Sequence, residues 1–179
     1  MKLLRTIQLD SSDRFVFEQA AMPGEWAVSG AFAFLNRDIA ALRGKDRTAF
    51  RAGFLGLESL GRSTLVQIVE TQERDSTTVV ELLAAQLAAR FGAPDIESAR
   101  AAATEEIAFA ASLCNHPTGV IIAVTRTFEQ GSIREAFRTL RPNGQSPSRA
   151  FNFVEVIGEG ETTPEDHFDL AELGKGERI

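Results

Sequence analysis

Tyrosine is absent, cysteine and tryptophan occur once each, and histidine and methionine twice each. One thiol cannot close an internal disulfide, so a cystine-stapled secreted scaffold is excluded and a reducing, cytoplasmic setting is expected. Without tyrosine there is no phenolic hydroxyl to act as acid, base or hydrogen-bonding ring. Two histidines and one cysteine are a thin supply of nucleophiles and soft metal ligands, and no metal site is expected. No apolar run reaches the ~18 residues of a membrane-spanning helix, and the opening "MKLLRTIQLD" lacks the apolar stretch of a secretion signal. No membrane partner is therefore expected. Excess positive charge is missing too: the net charge is −6. Phosphate backbones are bound by basic stripes, so nucleic acid is not an expected partner either.

What is present suits one globular domain. The 179 residues are 44% hydrophobic and 25% charged, and a chain of this size buries about 70% of its unfolded surface. Thirteen phenylalanines supply apolar filling with no polar tip. Charge is uneven along the chain. Residues 158–179 hold seven acids and two bases, a net of −5, which leaves residues 1–157 near −1. The expected organisation is an α+β domain over 1–157 followed by an acidic tail over 158–179. The tail's short apolar patch, Phe168, Leu170 and Leu173, allows two readings: a solvated end, or a segment that docks on a partner or on its own body.

Periodicity outlines the elements. Leu3, Ile7 and Leu9 alternate as in a strand, Phe15 and Phe17 resume after "DSSD", and "WAVSGAFAF" puts Trp26, Val28, Gly30, Phe32 and Phe34 on one face. Its other face, Ala27, Ser29, Ala31 and Ala33, is small, which suits close approach of a helix or a second subunit. A helix is predicted from Lys45 to Leu57 with Arg47 and Arg51 opposite an apolar stripe, then a strand in "STLVQIVE". A second helix starts at Asp75 or Ser76 and ends at Gly92; a third opens at Pro94-Asp95 and runs to about Cys114. "VIIAVTRTFE" and "SIREAFRTL" flank Gln130-Gly131 as a hairpin, pairing Phe128 with Ile133, Arg126 with Glu135 and Val124 with Phe137. A last strand is read in "FNFVEVIG". The expected fold is α+β, with an antiparallel or mixed sheet of about six to seven strands and about three helices on one face.

Candidate chemistry is sparse. In "SLCNHPTG", Cys114 and His116 could be a nucleophile and its base. Against this, Cys114 continues the stripe Ala103, Ile107, Ala110, and positions two apart on a helix diverge. A ligand pocket between sheet and helices would draw on Trp26, Arg62, Arg126 and Glu135. There Arg126 could contact an anion held by Glu135's support, or the two could be a structural cross-strand pair. "GRST" at 61–64 reads as an anion-binding turn or a plain one, and Glu25 beside Trp26 as a cavity border or a core plug. Arg134, Arg138 and Arg141 form a basic stripe that matches an acidic partner, including the chain's own tail.

"GEWAVSGAFAF", "FLGLESLGRSTLVQIVE", "EIAFAASLCNHPTGVIIAVTRTFEQGSIREAFRTLRP" and "FNFVEV" together resemble a family of bacterial proteins of similar length, known as a domain of unknown function. The resemblance spans nearly the whole chain except the tail. It implies no assigned activity or cofactor, and no residue acquires a role from it. The function expected from the residues is that of a cytoplasmic accessory or interaction protein without catalysis of its own, self-associating as a dimer. An anion-binding domain and an enzyme using Cys114 and His116 are the alternatives.

Overall fold

The computed structural model describes residues 1–140. Seven strands form one antiparallel sheet: β1 (Lys2–Thr6), β2 (Trp26–Val28), β3 (Phe54–Gly56), β4 (Arg62–Ser63), β5 (Leu65–Glu70), β6 (Ile121–Glu129) and β7 (Ser132–Leu140). Their spatial order is β4-β3-β2-β1-β5-β6-β7. With three helices, α1 (Gly44–Ala52), α2 (Glu73–Arg90) and α3 (Ile96–Ser112), the architecture is α+β. The expected last strand, the boundary at 157, Arg141 and the acidic tail lie outside the described residues.

The β6–β7 hairpin turns where Gln130 and Gly131 both adopt positive φ, 51° and 78°. That is the twist-matched two-residue turn that asparagine- and glycine-like conformations favour. Counting outward from it gives the observed register: Phe128 opposite Ile133, Arg126 opposite Glu135, Val124 opposite Phe137. One face of β6 is buried through Ile122, Val124 and Arg126, while Thr125 and Thr127 on the other are exposed. Phe137, on the buried face, meets Phe109 of α3 at 5.8 Å between ring centroids. From the same face Arg126 reaches the C-terminal end of α1. Both helices therefore approach this side of the hairpin.

Helices α2 and α3 pack on each other, and α3 lies across β1 and β2. Ala99, Ala103, Ile107 and Ala110 form one apolar stripe, Val79, Leu83, Ala84 and Leu87 the other. Alanines at the contact let the two helices come close. Asp95 caps α3 as the sequence suggests, accepting from the Ser98 N–H at 2.7 Å, and Gly92 at φ 74° ends the preceding segment. Helix α3 stops at Ser112, two residues before Cys114.

Four sequence expectations need correction. Phe15 does not resume a strand after the turn-forming residues 10–13: residues 11–15 form a 3-10 helix, because the Asp10 carboxylate takes the Ser12 N–H at 2.6 Å while Asp13 takes the Asp10 N–H. Such local side-chain bonds outcompete a sheet ladder. Phe15 is consequently exposed, whereas Phe17 is buried. Strand β2 ends at Val28: Gly30 turns left-handed at φ 73° and Ala31–Phe34 coil into a 3-10 helix. The long strand with a small-residue face therefore does not form. Helix α1 ends at Ala52; Phe54 and Leu57 belong to the sheet side and are fully buried there. Its end is fixed by tertiary bonding, since Arg126 accommodates the carbonyls of Phe50 and Gly53. Finally, α2 starts at Glu73 because Asp75 is not its cap. Asp75 sits one turn in and accepts from the Gln72 N–H at 3.0 Å.

Candidate functional site

Arg126 is 1% exposed. Its Nε donates to Glu135 Oε1 at 2.7 Å, Nη1 to Phe50 O at 3.0 Å and Gly53 O at 2.9 Å, and Nη2 to Ser29 Oγ at 3.1 Å and to Ser29 O. A guanidinium has five N–H donors, so each has a protein acceptor and none remains for a ligand. The residue ties its own hairpin, β6 and β7, to two places far away in sequence, the end of α1 and the turn after β2. Ser29 also donates to Glu135 Oε1. Burial pulls the Arg126 pKa down, and the facing carboxylates of Glu135 and Glu106 oppose that.

Two further charges surround this cluster. Glu106, on α3, accepts from the Gly30 N–H at 3.2 Å. Burial raises its carboxyl pKa, the Gly30 bond opposes this, nearby Glu135 adds to it and Arg126 subtracts. Arg62 is half-buried. Its Nη1 donates to Gly30 O and Gly53 O, both at a long 3.4 Å, and its guanidinium lies 4.7 Å from the Phe34 ring centroid. Burial, then repulsion from Arg126 and Arg37, brings its pKa down to about 9, which leaves it cationic at neutral pH. Arg62 and Arg126 thus share the Gly53 carbonyl, and Arg126 pairs with Glu135. Trp26 is not part of their bonding: Arg5 stacks over it at 3.6 Å. Glu106 and Ser29 are members that sequence reasoning missed. For Glu106 the available signal was a carboxylate next to Ile107 on the buried stripe of α3.

The remaining candidates resolve into structural contacts. Cys114 is 5% exposed and its Sγ donates to Ala110 O at 3.3 Å, with no hydrogen bond to His116. Burial pushes its thiol up to about 11, Lys2 pulling slightly the other way. His116 gives its carbonyl to Lys2 Nζ at 2.8 Å. Glu25, 2% exposed, accepts from the N–H groups of Met22, Glu58 and Ser59 and so ties two loops together. In the 61–64 turn, Ser63 Oγ is used on Ile7 O and Leu65 O. Among the described residues no group of three or more His, Cys, Asp or Glu side chains is placed to hold a metal ion. No described helix is long and apolar enough to cross a membrane.

Beside the cluster opens a groove of about 670 Å³ between α1, the segment before it and the hairpin end. Ile39, Leu42, Arg43, Arg47, Arg51 and Phe128 line it. Arg43, Arg47 and Arg51 recur every fourth residue, hence on one side of α1, and all three are exposed. Arg43 donates only to the carbonyls of Ala40 and Leu42. None of the three forms an ion pair with a described carboxylate. The arrangement is costly for the helix itself: like charges four apart repel, and cations at a helix start oppose the macrodipole. On β7, by contrast, Arg134 is engaged by Glu129 at 3.2 Å.

Comparison with known proteins gives a family and no activity. No curated protein matches the chain. No solved structure matches it either. A family model described as a family of unknown function, DUF6505, matches residues 1–152. That match takes in every described strand and helix, the buried arginine cluster and the groove, and the chain accordingly belongs to the DUF6505 family.

Proposed function

We propose that the protein is a non-catalytic interaction domain that takes an acidic, apolar-bearing protein segment into the groove between α1 and the β6–β7 hairpin. One observation carries this reading: Arg43, Arg47 and Arg51 line up without carboxylate partners among the described residues, next to Ile39, Leu42 and a Phe128 that is 47% exposed. Guanidiniums interleaved with apolar side chains fit a peptide alternating acid and hydrophobe better than a uniform polyanion. The chain's own net charge of −6 also repels nucleic acid at long range. A non-catalytic role is supported by the sealed thiol of Cys114 and by the fully committed donors of Arg126.

The test is fluorescence anisotropy of the full chain with a labelled eight-residue peptide alternating glutamate with leucine and phenylalanine. Micromolar binding is expected, weakened at least tenfold in 0.5 M salt, where screening shortens to about 4–5 Å. Arg47→Glu with Arg51→Glu abolishes it. Equal binding of a glutamine-for-glutamate peptide, or tighter binding of a single-stranded oligonucleotide, refutes the reading.

A further inference from the structure

We infer that the occupant of the basic groove is the chain's own acidic segment, residues 159–173; this rests on the groove reading above and names its ligand. Three observations converge. The groove presents three arginines without described ion-pair partners beside Ile39, Leu42 and Phe128. The segment carries the complementary pattern: Glu159, Glu161, Glu165, Asp166, Asp169 and Glu172, with Phe168, Leu170 and Leu173 among them. The connection is long enough. Strand β7 ends at Leu140, and the groove lies at the opposite end of the hairpin, beside the Phe128–Ile133 pair. Seven residues of strand place that pair about 23 Å from Leu140, whereas residues 141–167 reach up to about 90 Å when extended.

Tethering favours this occupant over a free one. A linked segment meets its site at an effective concentration in roughly the millimolar range. Any external acidic segment must therefore displace the internal one, and the groove is occupied until a stronger partner arrives. Salt weakens the internal contact, because exposed guanidinium–carboxylate attraction is screened beyond about 8–10 Å at ordinary ionic strength.

Disulfide trapping in the full chain tests it. Phe128→Cys with Leu170→Cys places one thiol in the groove and one in the segment. Phe15→Cys with Leu170→Cys is the control, since Phe15 is 75% exposed and outside the groove lining. Cys114 is buried and does not compete. Expected is an intramolecular bond forming at least ten times faster for the groove pair. Arg47→Glu with Arg51→Glu, or 0.5 M salt, cuts that rate at least fivefold. Equal rates for the two pairs overturn the inference, as does a covalent dimer, which puts the segment in a second copy's groove. If the rates are equal and the glutamate–leucine peptide still binds, the groove reading stands and its internal ligand falls. If neither occurs, both fall. Should the groove variant lose its fold by circular dichroism, Ile39→Cys replaces Phe128→Cys with the same expectations.

Discussion

Arg126 Nε lies 2.7 Å from Glu135 Oε1, yet the two side chains differ in exposure, 0% for the arginine against 16% for the glutamate. The cation is therefore the member that cannot return to water if the pair is broken. Glu135→Gln leaves a hydrogen-bond acceptor but no negative charge opposite a sealed guanidinium, and a cost of about 3 kcal/mol is expected in urea denaturation. Arg126→Met removes the cation but strands the carbonyls of Ser29, Phe50 and Gly53, each worth about 1–3 kcal/mol when left unmet in the interior. Combined with Glu135→Leu, the loss is expected to be smaller than the sum of the single losses, since no uncompensated charge remains. Strict additivity would show that the two side chains do not act as a unit.

Glu106 makes stability depend on pH in a direction opposite to most carboxylates. Burial raises its pKa above the ordinary 4.5. Through that window the folded protein binds more protons than the unfolded chain, so stability falls as pH rises from about 4.5 upward. Glu106→Gln keeps an oxygen for the Gly30 N–H and removes the ionisation. Variant and wild type are expected to unfold at the same urea midpoint well below the ordinary carboxylate pKa, with the variant gaining as pH rises through it. A gap that is constant with pH would rule out Glu106 as the cause.

Much of this was legible in the sequence where local chemistry and tertiary packing agree. The hairpin register could be counted from Gln130-Gly131, because a two-residue turn fixes every pair beyond it. Asp95 was readable as a cap because its bond is to a residue three positions on. Where a contact is long-range, the pattern misled. Phe50, Phe54 and Leu57 share helical spacing, but α1 is ended by Arg126 from β6, some seventy residues later in the chain. Glu106 joins the arginine cluster only because α3 crosses the turn after β2. The basic groove was half visible: Arg47 and Arg51 stood out opposite the apolar stripe, while its other wall, Phe128, comes from the hairpin.

Gly30 is where backbone freedom is required. Its φ is 73°, and a Cβ there would sit 2.5 Å from Leu55 Cβ and 3.0 Å from Arg62 Nη1. Leu55 Cβ is fixed to its own strand and cannot swing aside. Gly30→Ala is expected to cost about 3 kcal/mol, from left-handed strain plus overpacking. Gly24→Ala is the control, since its φ is 85° with nothing within 4 Å of the added carbon, and only about 1 kcal/mol of backbone strain applies. Equal midpoints for the two variants in thermal melts would contradict the close approach at Gly30.

The thiol of Cys114 settles whether "CNHP" is chemistry or a helix end. It is 5% exposed, donates to Ala110 O, and is pushed up to about 11 from the ordinary 9.0 by burial. A neutral, enclosed thiol reacts only when the protein opens. Labelling by an aromatic disulfide reagent at pH 7 is therefore expected to be slow in the native state and complete at once in urea. His116→Ala should leave the native rate unchanged. The same burial gives a signed pH effect: the fold retains a proton that the unfolded chain releases, so stability falls as pH rises from about 9 through about 11. A two-unit shift corresponds to about 2–3 kcal/mol, and Cys114→Ala should remove that slope while costing a smaller, pH-independent amount for the space left by sulfur. Rapid native labelling that His116→Ala slows would instead make this pair a reactive centre, and the non-catalytic reading of the protein would not survive it.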